Sequence, residues 1–74
     1  MTLDQIRTAK HAQPFRTFTI YLDDGRTYEV RHPDFIALSP NGRAATFFDD
    51  DGGQHLLDLQ HINEVYIPPM KAIA

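Results

Sequence analysis

Residues 16–31 read RTFTIYLDDGRTYEVR. Two short runs of alternating character flank an Asp-Asp-Gly-Arg turn. In the first run Phe18, Ile20 and Leu22 share one face, and Thr17, Thr19 and Tyr21 share the other. That period of two, in residues with high β propensity, is the mark of a half-buried strand. In the second run Tyr28 and Val30 point inward, and Thr27, Glu29 and Arg31 outward. Asp24-Gly25 between two alternating runs is a strong hairpin signal, because glycine reaches positive φ at no steric cost. The stretch predicts an antiparallel hairpin with one buried face, and it places the chain in a mainly-β class.

Beyond the hairpin, His32-Pro33-Asp34 interrupts the second strand. A proline there removes a ladder donor, so a bend, a bulge or an edge is expected. Residues 35–38 (FIAL) resume as a short strand or an irregular apolar segment. Ser39-Pro40-Asn41-Gly42 reads as a turn with Pro40 in its second position. Ala44–Phe48 forms a third strand region, residues 54–59 (QHLLDL) a fourth, and residues 60–67 (QHINEVYI) the last, with Val65 and Ile67 on one face. Pro68-Pro69 stops that strand, and 68–74 reads as a loose tail.

The amino-terminal side has a different period. Thr2-Leu3-Asp4-Gln5 has the form of a capping box, with Thr2 accepting from the Gln5 N–H and Gln5 reaching back. Leu3 and Ile6, with Ala9 or Lys10 behind them, make one narrow apolar stripe. Asp4 in the first turn and Lys10 in the last suit the helix dipole. Gln13-Pro14 closes the segment, since a residue before proline avoids the α region. A helix at about 2–11 follows. It is too short to stand alone in water, so its stripe must dock.

One helix and about five short strands imply an all-β fold with a small α component: a five-stranded small barrel at about 15–67, one helix at about 2–11, in a single domain covering 1–74. Closure would remove the exposed strand edges, and the helix would cover one open end. The 74-residue chain has no cysteine. At this size one core supplies only about 3–5 kcal/mol of net stability, and without disulfides oligomerisation becomes a serious option. No apolar run approaches the ~20 residues that span a bilayer, and residues 1–15 lack the apolar region of a signal peptide. A cytoplasmic protein without membrane contact is the expectation. Net charge is −3. Arg7, Lys10 and Arg16 stand against Asp4 in the first sixteen residues, so an electropositive face, if present, belongs to the helix.

The order of these segments resembles the Sm-like barrel family, in particular its Hfq-like bacterial RNA chaperones. The matching stretches are Ile20-Tyr21-Leu22-Asp23-Asp24-Gly25, the bent strand at Asp34-Phe35, and Gln60-His61-Ile62 ending at Ile67-Pro68. The resemblance implies an Sm-like or SH3-like barrel that self-associates edge to edge through its fourth and fifth strands. It also implies RNA contact through Tyr21, Gln60 and His61, with Arg7 and Lys10 adding charge from the helix face. The sequence departs from the family where a Lys-His or Arg-Gly pair is usual: Gln60-His61 has no permanent cation, and no Asn follows Asp34-Phe35. Net negative charge also opposes RNA. The chain is similar as well to a group of short bacterial proteins of the type PFRPFTIxLxDGRxxxVxHPDFxALSPxGR.

The other polar clusters read as structure. Asp49-Asp50-Asp51-Gly52-Gly53 has consecutive aspartates that alternate faces, without the alternating oxygens and distant Glu of a calcium loop. Asp and Gly are what a hairpin turn needs. His11, His32, His55 and His61 form no i, i+4 pair, and two imidazoles alone make a poor metal site. Ser39, the single serine, has no nucleophile-elbow glycines, and no phosphate loop is present. Phe18, Phe35 and one of Phe47 and Phe48 are expected inside, the other Phe of the pair outside. The functional reading is a non-enzymatic binding module with no cofactor and no metal. Two kinds of partner stay open: RNA on a self-assembled ring, or a protein partner alone in an interaction or structural role.

Overall fold

The computed structural model describes residues 2–69. Of the expected tail, residues 70–74 lie outside the described residues. The elements are α1 (Leu3–Lys10), β1 (Phe18–Leu22), β2 (Thr27–Val30), β3 (Ile36–Leu38), β4 (Ala44–Phe48), β5 (Gln54–Asp58) and β6 (Ile62–Tyr66). Single 3₁₀ turns stand at Pro33–Phe35, before β3, and at Leu59–His61, before β6.

The capping box opens α1 as its sequence requires. Thr2 Oγ1 accepts from the Gln5 N–H at 3.3 Å, and Gln5 Oε1 accepts from the Thr2 N–H at 3.0 Å. The docking stripe is Ile6 and Ala9, both buried, with Leu3 and Lys10 half-buried. It packs on β3. Lys10 Nζ donates to the Ile36 carbonyl at 2.8 Å, and the Leu3 side chain lies against the Gly42 turn. A helix of 8 residues is held here by tertiary contact and not by propensity.

The strands form two three-stranded antiparallel sheets, ordered β2-β1-β6 and β3-β4-β5. In β1 the inward residues are Phe18, Ile20 and Leu22, all buried, in register with Val30, Tyr28 and Ile62 on the neighbouring strands. The opposite sheet contributes Ile36, Ala45, Phe47 and Leu57 to the same core, and Leu59 closes its end. Ile6, Ala9 and Val30 complete one continuous cluster. Phe35 is half-buried against it, and Phe47, not Phe48, is the inward member of the pair.

The five-stranded barrel expected from sequence is corrected by this arrangement. There are six strands, and no sheet closes on itself among the described residues. The physical reason lies at His32-Pro33. His32 takes an extended conformation (φ −151°, ψ 147°), as a residue before proline must. Its Nδ1 accepts from the Asp34 N–H at 3.1 Å, and its carbonyl accepts from the Phe35 N–H at 3.0 Å. The 3₁₀ turn so formed cuts one long bent strand into β2 and β3, which then serve different sheets. The last strand is shortened by the same device. Asp58 Oδ1 caps the second 3₁₀ turn by accepting from the Gln60 N–H at 2.9 Å, so Gln60 and His61 lie in a turn and β6 begins at Ile62.

Candidate functional site

The two sheets leave β5 and β6 as neighbouring free edges, joined by the 3₁₀ turn at Leu59–His61. Both strands carry exposed large apolar side chains, at different places: Leu56 beside the β1–β2 turn, and Ile67, after the far end of β6, beside Gln5 and Thr8 of α1. Leu56 on β5 is 79% exposed, Tyr66 on β6 is 46% exposed, and Ile67 directly after it is 38% exposed. The reason for Leu56 is local: Leu56 and Leu57 are consecutive on a strand, so one must face out, and Leu57 is the buried one. Neither β5 nor β6 carries a Lys or a Pro, the residues with which natural proteins commonly blunt an edge.

The residues that the Sm-like resemblance selects fall into two places. Arg7 and Lys10 sit on α1. Arg7 Nη1 pairs with Asp4 Oδ1 at 3.3 Å, and Lys10 is engaged by the Ile36 carbonyl. Arg16, the third cation of the amino-terminal segment, donates to the Pro68 carbonyl at 3.2 Å. Tyr21 lies in the middle of β1, between Thr27 and Glu64 of the flanking strands, with its ring partly exposed. Gln60 is exposed in the second 3₁₀ turn. His61 Nδ1 meets Asp23 Oδ2 at 2.8 Å, and the Asp23 N–H donates to the His61 carbonyl at 2.9 Å. That double link ties the β1–β2 turn to the start of β6. The hydrogen bond that the ring donates to the Asp23 carboxylate, then that carboxylate's charge, raises the His61 pKa above the ordinary histidine value. No hydrogen bond or ion pair among the described residues joins Arg7 or Lys10 to Tyr21, Gln60 or His61.

A groove of about 360 Å³ runs between the β1–β2 turn and β5, lined by Leu22, Asp23, Asp24, Arg26, Leu56, Asp58 and His61 among others. Its carboxylates outnumber its cations, and Arg26 Nε is already paired with Asp24 Oδ2 at 2.7 Å. The backbone N–H of Arg26, then its guanidinium, holds the Asp24 carboxyl below the usual range. Polar chemistry beside the β5 edge is therefore anionic.

The triple aspartate is a turn. Asp49 accepts from the Gly53 N–H at 2.7 Å and the Asp51 N–H at 3.0 Å, and its backbone N–H donates to the Gly53 carbonyl at 3.0 Å. Gly52 supplies the positive φ of 86°. The second oxygen of Asp49 meets His55 Nε2 at 3.0 Å, and this bond, with the backbone donors behind it, depresses the Asp49 pKa. His55 and His61 thus serve different carboxylates at different turns. Among the described residues no group of three or more His, Cys, Asp or Glu side chains is arranged to hold a metal ion, and no helix is long and apolar enough to cross a membrane.

Sequence reasoning did not single out Leu56 or Tyr66 as surface features, nor Asp23 as the His61 partner. The Leu56-Leu57 doublet was the available signal for the first. The Asp23–His61 pair spans 38 residues and leaves no local pattern. Comparison of the chain with protein-family models, with curated proteins and with solved structures finds no match.

Proposed function

We propose that this chain is a non-enzymatic interaction module that works as a self-assembled oligomer, β5 of one copy pairing with β6 of the next. The observation that carries this reading is that two edge strands each bear exposed apolar side chains, Leu56 on β5 and Tyr66 with the following Ile67 on β6, one for each side of a head-to-tail contact. Edge pairing would satisfy the unpaired backbone groups of both strands. It would also take those side chains out of water, which is the dominant gain in most protein association. Because the two edges differ, the contact is heterologous, and repeated copies build a ring if the rotation closes.

Electrostatics favours a protein over a nucleic acid as what the assembly meets. Each copy brings a net charge of −3. Lys10 and Arg16 spend donors on main-chain carbonyls, and Arg7 is paired with Asp4. RNA binding at Tyr21, Gln60 and His61 would have to proceed without a basic footprint.

Native mass spectrometry on protein purified without nuclease or high-salt steps tests the reading. The expected result is a defined multimer with no nucleic-acid mass, whose dissociation falls as salt screens the like charges. A monomer at all concentrations refutes edge assembly. A multimer carrying nucleic acid that is stripped by salt moves the function to RNA, with Tyr21 and His61 as the residues to change first.

A further inference from the structure

The kink at Pro33 does more than divide the sheets. It leaves a groove of about 210 Å³ between β2 of one sheet and the end of β4 in the other. Its aromatic wall is built by Tyr28, Phe47 and Phe35. The Tyr28 and Phe47 rings meet at a tilt of 40° with centroids 5.0 Å apart, and the His55 ring lies 5.0 Å from Tyr28 and 5.8 Å from Phe47. Phe47 is buried, whereas Tyr28 and Phe35 are half-buried and keep surface toward the groove. Glu29, Asp49 and Asp50 bring three carboxylates to the same groove, against one cation, Arg31.

Two features identify the chemistry of an occupant. First, aromatic faces beside carboxylates in one concavity attract cations, through the ring quadrupole and through charge. Second, the groove already engages a guanidinium. Arg31 Nε donates to Glu29 Oε1 at 2.9 Å, and its Nη1 lies 3.5 Å from Asp50 Oδ2, bridging the two sheets. Arg31 is 60% exposed, so it sits at the rim and does not fill the space. Glu29 Oε2 and Asp50 Oδ1 make no hydrogen bond among the described residues, and a carboxylate accepts on both oxygens. The volume is below the ~300 Å³ where small-molecule pockets begin and suits one long side chain.

We propose that this groove is a docking site for an arginine side chain of a protein partner, its guanidinium over the Tyr28 and Phe35 rings and between Glu29 and Asp50. A planar guanidinium both stacks and forks onto carboxylates, which an ammonium does not. Arg31 is then the resident competitor, displaced or shifted when the partner's arginine enters. The site is separate from the β5 and β6 edges, and the proposal stands whether or not the chain assembles through them.

The probe is acetyl-arginine amide, titrated into the intact protein and followed by NMR at the Tyr28, Phe35 and Phe47 rings. Saturable shifts with Kd of order 1–10 mM are expected. Acetyl-citrulline amide, neutral and of the same shape, should bind at least about fivefold more weakly. Glu29→Gln with Asp50→Asn should weaken the arginine probe by about fivefold or more, and Arg31→Gln should tighten it. All three positions are exposed, so the variants are expected to fold, as their unperturbed spectra would show. Absence of saturation by ~50 mM overturns the site, as does equal binding of citrulline. Weaker binding in Arg31→Gln would also refute it, because Arg31 would then hold the carboxylates in place for the probe and would not be its competitor.

Discussion

Truncating Leu56 separates the edge contact from the fold. Leu56 is 79% exposed, so little of its transfer free energy is realised within one copy. Burying a whole leucine side chain yields about 1.5–3 kcal/mol. The part still available to an interface is 79% of that, or about 1–2 kcal/mol. In a heterologous assembly each interface uses one Leu56, and Leu56→Ala loses most of this term once per contact. The association constant should fall about 5–30-fold. Stability of the isolated copy should stay within about 0.5 kcal/mol, as for most surface substitutions. Sedimentation velocity over a dilution series reads the first quantity. Thermal melting at a concentration where only monomer is present reads the second. An unchanged dilution curve refutes the role given to the β5 edge. A monomer melting more than about 5 °C lower refutes the premise that Leu56 is outside the core.

Three further outcomes follow from the core, a turn and a titrating pair. Ile6, on the inner face of α1, is fully buried, so Ile6→Ala should cost about 2–5 kcal/mol, most of the roughly 3–5 kcal/mol that a single core of this size supplies. The melting temperature should fall by at least about 8 °C, and an unchanged curve would mean that α1 is not docked. Gly52→Ala places its Cβ in open space but keeps φ at +86°, so a loss of about 1–2 kcal/mol from backbone strain alone is expected in chemical denaturation; a neutral result would show that the turn is not left-handed there. For His61 the sign follows from its raised pKa. The stabilisation by Asp23 is fully present below the unfolded-state value of about 6.5 and is lost as pH rises through the higher folded value. The melting difference between the native chain and His61→Gln should therefore be largest on the acid side and shrink toward alkaline pH; a difference that grows with pH would break the assignment.

What the sequence discloses follows the range of the interaction. The capping box needs only Thr2 and Gln5, and α1 begins where they place it. Phe18, Ile20 and Leu22 are inward because a strand alternates, and Gly25 and Gly52 mark turns because both take positive φ. Each of those signals lies within a few residues. Barrel closure does not. Pro33 announces a break, yet the direction in which the chain leaves it depends on the His32 Nδ1 contact with the Asp34 N–H and on how Phe35 packs against the core. A strand that merely bent would have carried β2 into β3 within one sheet; the 3₁₀ turn divides them between two. Gln60 and His61 are displaced from a strand into a turn by the Asp58 cap, a bond whose geometry an alternating pattern does not display.

The same division accounts for both surfaces. Because β2 and β3 part at Pro33, the inner faces of the two sheets meet in one core while the β2–β4 side opens into the groove lined by Tyr28, Phe35 and Phe47. Because neither sheet closes, β5 and β6 keep free edges, with Leu56 exposed on the first and Tyr66 on the second. A closed barrel of the same residues would have satisfied its own edges and joined the strands whose separation opens the groove. The charge distribution then gives the two surfaces different tasks. The edges offer unpaired backbone groups and the exposed Leu56 and Tyr66, which suits strand pairing with another copy. The groove sets three carboxylates against a single, already shared guanidinium, which suits a cationic partner and disfavours a second copy of a chain whose net charge is −3.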